Sequence, residues 1–190
     1  MRWLTLYARS RQVPASLAAV LISASVVWAF ARIDDGPWDP RLSTLALAAG
    51  ATAVSVGLGG QDLAMDRTAA IRWMPRRAAH VLICGVLIGG VLLAAQTLSG
   101  QPATPGFVVR NCAGLMGLVA LGAAWYGRQY AWILPFAWMS VSFVAPSAPD
   151  VTSQVLTWML LPPDTTAGVW TALVLAVAGL TVYAVGGPRR

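Results

Sequence analysis

The sequence predicts an all-α integral membrane protein. Its expected elements are six transmembrane helices, an N-terminal interfacial helix, a cytoplasmic helix between spans two and three, and a re-entrant or interfacial helix between spans five and six. Three observations carry this expectation. Of 190 residues, 57% are hydrophobic and only 11% charged, with a mean hydropathy of +0.66. A soluble domain needs roughly a quarter of its residues charged to cover itself. The apolar residues gather in blocks close to the ~20 residues that cross a bilayer, not in a 3.6-residue stripe. The arginines stand at the ends of those blocks, where topology demands them.

The elements follow in chain order. Residues 1–13 place Trp3, Leu4, Leu6 and Tyr7 beside Arg2, Arg9 and Arg11, the make-up of a short helix lying in the membrane interface. The first span is expected near 14–31. It ends in Ala29-Phe30-Ala31, which also fits a signal-peptide cleavage site. Cleavage there would leave five spans with termini on opposite sides, and the expectation is a retained span. Loop 32–41, RIDDGPWDPR, is turn-rich through its Gly-Pro and Asp-Pro steps. The second span is expected near 42–60 and the third near 78–98, with the charged segment 61–77 between them. Loop 99–106 is short and uncharged. The fourth span is expected near 107–126 and the fifth near 130–146, where Pro135 is placed to kink it.

Segment 148–164 is apolar in its middle and bracketed by Pro149 and Pro162-Pro163. It is too short to cross, which is the pattern of a re-entrant or interfacial helix. A seventh span there needs about 20 residues and puts the basic tail on the other side. The sixth span is expected near 167–187.

Six spans put both termini on one side. That side then holds Arg2, Arg9, Arg11, Arg67, Arg72, Arg76, Arg77, Arg128, Arg189 and Arg190. The other holds Arg32, Arg41 and Arg110 with five of the seven aspartates. An excess of arginine marks the cytoplasmic side. Both termini and the segment 61–77 are therefore expected in the cytoplasm, with the chain in the plasma (inner) membrane.

The net charge of +6 does not point to nucleic acid, because the arginines belong to span ends and not to one face. Cys84 and Cys112 both lie in apolar blocks, where thiols behave as small hydrophobes. They can form a disulfide only if two helices align. One histidine, His80, and no CxxC leave no metal spacing.

Segment 61–77, QDLAMDRTAAIRWMPRR, is the only expected cytoplasmic connection longer than a tight turn. Residues 61–73 lack proline and glycine, Asp62 stands near the start and Arg72 near the end, the charge order of a helix. Pro75 is expected to break the chain before the third span. Positive-inside charge explains the arginines but not Ile71, Trp73 and Met74, which are typical of contact surface. Asp66-Arg67-Thr68-Ala69-Ala70 followed by Pro75-Arg76-Arg77, together with the span pattern, resembles the permease of ABC-2-type transporters.

The resemblance implies that residues near 61–74 form a coupling helix seated on a separate ATP-binding cassette ATPase subunit. Asp66, Arg67, Ile71, Arg72 and Trp73 would make that contact. Asp66 stands where the family carries glutamate, a residue this chain lacks. The resemblance further implies a second permease copy or homologue, export as the direction, and ATP and Mg held by the partner. This chain has no GxxxxGK[ST] and no lysine, so it is not expected to hydrolyse ATP itself or hold a cofactor.

Two further sets of residues are candidates for a pathway. Trp132, Phe136, Met139 and Phe143 recur at i, i+4, i+7 and i+11, one helical face that would suit an apolar or amphipathic cargo, or ordinary packing. Arg110-Asn111 lies in the outer end of the fourth span. Its arginine is expected to snorkel to the interface or to meet an aspartate. A membrane enzyme finds no paired acids, paired histidines or Ser-His pair in the spans. A non-catalytic scaffold or accessory subunit of a larger membrane complex shares the composition and remains the alternative.

Overall fold

The computed structural model describes residues 18, 21, 22, 25, 29, 39–55, 73–99, 104–146 and 148–188, the side chains of 73, 98, 99 and 128 excepted. The expected interfacial helix 1–13, most of the first expected span and segment 61–72 lie outside these residues. Six α-helices are described: α1 (Pro40–Ser55), α2 (Trp73–Ser99), α3 (Pro105–Tyr126), α4 (Ile133–Val144), α5 (Val151–Leu156) and α6 (Thr166–Gly186).

Three stretches are long and apolar enough to cross a membrane: Met74–Thr97, Pro105–Tyr126 and Thr166–Gly186. They coincide with the third, fourth and sixth expected spans. The described residues therefore hold three candidate spans, not six. The fifth expected span is corrected to α4, whose 12 residues reach only ~18 Å of a ~30 Å hydrocarbon core.

Local chemistry sets these limits. α3 starts with Pro105 in its first turn, where a missing N–H costs nothing, and stops at Gly127, whose φ of 88° favours glycine. α4 starts just before Pro135 and stops at Ala145, held extended (φ −63°, ψ 138°) by Pro146. Pro135 thus lies in the first turn and does not kink a span. Pro75 likewise does not break the chain: α2 already begins at Trp73 and carries this proline in its first turn.

Contacts fix the helix directions. Gln96 meets Ser43 and Ile88 meets Gly50, so α1 and α2 are antiparallel. Gly85 lies against Met116 and Gly89 against Val108, so α2 and α3 are antiparallel. Gly168 lies against Arg110 and Gly179 against Gly117, so α3 and α6 run parallel. Consequently the chain between α3 and α6 must travel back along the bundle. α4 covers part of that distance, and the apolar segment after it covers the rest.

α3 is the central helix. Of its apolar stretch 89% is buried, against 28% for α2 and for α6. Its glycines admit neighbours: Trp158 packs its ring on Gly114, and the backbones of α6 at Leu175 and Gly179 close on Gly117. Without a hydrophobic force between helices in lipid, such close backbone approach is a main source of association. α2 and α6 turn Leu82, Ile83, Val86, Val174 and Val177 outward, as lipid-facing walls do.

Candidate functional site

Two places in this bundle combine unusual chemistry with geometry. The first is a buried polar node at the end where α1, α3 and α6 begin. Arg110 is only 7% exposed. Its Nη1 donates to the Pro162 carbonyl at 2.6 Å, Nη2 to the Leu161 carbonyl at 2.7 Å, and Nε to Asn111 Oδ1 at 3.1 Å. Asn111 Nδ2 donates to the Met159 carbonyl at 2.7 Å, and Thr44 Oγ1 donates to the same oxygen at 3.2 Å. The guanidinium carbon also lies 5.3 Å from the centre of the Phe107 ring, a cation–π distance.

This node refines the expectation for Arg110. Its hydrogen bonds go to neutral oxygens, and the Asp164 carboxylate acts on it through space, so the expected aspartate is a neighbour and not the direct acceptor. Segment 157–163 supplies the carbonyls, of which that of Pro162 also accepts from the Thr165 amide, and a planar guanidinium fork answers two at once. The same segment buries Trp158 and Met159 completely against α3. It therefore lies at the depth of the first turns of a candidate spanning helix. The Trp158 indole N–H has no acceptor among the described residues. A second polar contact, Gln96 Nε2 to Ser43 Oγ at 2.8 Å, ties α1 to α2 at the same end.

The second place is an apolar groove of about 530 Å³ between α2, α3 and α6. Gly85, Gly89, Cys112 and Gly117 line it. The Cys112 thiol donates to the Gly85 carbonyl at 3.0 Å, and the Cys84 sulfur lies 3.7 Å from His80 Nε2 on its own helix. Both thiols are free, so no disulfide joins them. No group of three metal-ligating side chains occurs among the described residues.

The residues singled out from sequence fall as follows. Asp66, Arg67, Ile71 and Arg72 lie outside the described residues, and Trp73 is the first residue of α2. The stripe on α4 is divided. Trp132 and Phe136 are exposed, with ring centres 6.2 Å apart in an edge-to-face pair. Met139 is buried in the core and Phe143 packs against it. These four do not line the groove described above. Asn111 and Thr44 are the members of the node whose importance sequence reasoning understated; polar side chains inside apolar helices were the available signal.

Compared with protein-family models, curated proteins and solved structures, the chain matches none.

Proposed function

We propose that this chain is the membrane permease subunit of an ABC-2-type transporter, coupling ATP hydrolysis by a separate ATPase subunit to export of an apolar or amphipathic cargo. In this reading both termini are cytoplasmic, and the chain pairs with a second permease copy or homologue. The observation that carries the reading is the place of Trp73. Trp73, the last of the expected contact residues, belongs to α2, a single helix of 27 described residues. A partner bound at Trp73 would therefore act on the end of a helix packed directly on the central helix α3.

A second reading, a non-catalytic scaffold or accessory subunit, is favoured by the outward placement of Trp132 and Phe136. Purification in gentle detergent, with mass spectrometry of the companions, separates the two. The permease reading expects a stoichiometric partner carrying GxxxxGK[ST] that is lost when Ile71→Asp and Trp73→Asp are introduced. A preparation without such a partner, or one indifferent to the substitutions, sinks it.

A further inference from the structure

We infer that the groove between α2, α3 and α6 holds one acyl chain of an anionic bilayer lipid, with the lipid phosphate at Arg76 and Arg77. This rests on the membrane-spanning character of the three helices and not on the transport reading.

The groove is built from helices that qualify as spans, so its surroundings are hydrocarbon and contain no water to fill it. Its lining is apolar throughout, from Val81 to Leu93 along α2. It opens sideways: Val86 is 75% exposed, Val109 63% and Val177 56%, all on its rim. Gly90 on its wall has nothing within 4 Å of an added Cβ. Residues 81 to 93 rise roughly 18 Å along the helix, comparable with the ~15 Å that one leaflet contributes to the hydrocarbon core.

Charge selects the kind of lipid. One turn below the start of the groove α2 carries Arg76, which is exposed, and Arg77, followed by His80. The Arg77 guanidinium lies against Gly187, where α6 ends, so positive charge stands between α2 and α6, two of the three helices that form the groove. A basic mouth between spanning helices recognises anionic headgroups, and guanidinium groups match phosphate oxygens two at a time.

The test uses the full-length protein in detergent, titrated with dioleoyl phosphatidylglycerol or dioleoyl phosphatidylcholine and read by native mass spectrometry. Phosphatidylglycerol is expected to be retained over phosphatidylcholine by roughly thirtyfold, given about 1 kcal/mol for each of the two arginines at such a surface. The pair Arg76→Gln and Arg77→Gln should erase that preference while phosphatidylcholine retention stays. Gly90→Phe, which fills the groove without touching the headgroup site, should abolish retention of both at an unchanged Tm. Equal retention of the two lipids by the unmodified protein overturns the proposal. So does full retention in folded Gly90→Phe.

Discussion

Arg110 Nη2 donates to the carbonyl of Leu161 across 2.7 Å, joining the central helix to a segment 51 residues further on. With the neighbouring bonds to Pro162 and Asn111, this contact lets a charged side chain stay inside an apolar bundle. Hydrogen bonds to charged groups contribute about 1.5–3 kcal/mol each, and unmet buried acceptors cost about 1–3 kcal/mol. Arg110→Met should therefore destabilise the protein by about 3 kcal/mol or more. Arg110→Lys keeps the charge but loses the fork, and its Tm should fall between the two. Thermal unfolding in detergent reads the order. A methionine variant as stable as the parent would show that the carbonyls find other donors.

The backbone contact of Gly117 with Leu175 and Gly179 leaves no room for a side chain. Gly117→Val should overpack the α3–α6 seam and cost about 1–3 kcal/mol or more. Gly90→Ala, where a Cβ meets open space, should stay within about 0.5 kcal/mol of the parent. Unfolding of the two variants side by side checks the contrast.

Trp158 is fully buried, yet its indole N–H has no acceptor among the described residues. Its contribution is then packing on Gly114. Trp158→Ala should cost about 3–5 kcal/mol, while Trp158→Phe, which removes only the orphaned donor and part of the ring, should cost clearly less. Equal losses would mean that the N–H has a partner after all.

Asp150 caps α5 by accepting from the Ser153 amide at 2.9 Å, and this bond holds its carboxyl below the ordinary value of 3.8. A carboxyl lowered in the folded state stabilises at neutral pH, and the gain is lost as pH falls through its folded value. Exchange protection of the Ser153 amide should therefore drop in acid. Asp150→Ala should remove that pH dependence, and Asp150→Asn should keep the cap at every pH.

Much of the helical framework was legible in the sequence because length and apolarity specify it directly. The blocks 78–98, 107–126 and 167–187 return as α2, α3 and α6 within a few residues, apart from the five-residue early start of α2. Hydropathy alone misled over 130–146, where Pro135 and Pro146 fix a 12-residue helix inside a longer apolar block. Proline was read as a kink or a break, although Pro75 and Pro135 both occupy first turns, where the ring is harmless. The partner of Arg110 was beyond reach for a different reason. Two of its three acceptors are backbone carbonyls, which every residue carries and no sequence marks. The division of the α4 stripe has the same origin: periodicity puts Trp132 and Met139 on one face but does not say how wide the neighbouring helix is.

The central claim is that segment 61–73 meets an ATP-hydrolysing partner. A photo-crosslinking residue placed at Ile71 in native membranes tests it most directly, with the same group at Gln101, in the loop the proposed topology puts on the other side, as control. The account predicts a crosslink from position 71, and none from 101, to a chain carrying GxxxxGK[ST], weakened when Trp73→Asp is added. Crosslinks from 71 only to lipid or to copies of this chain would contradict it.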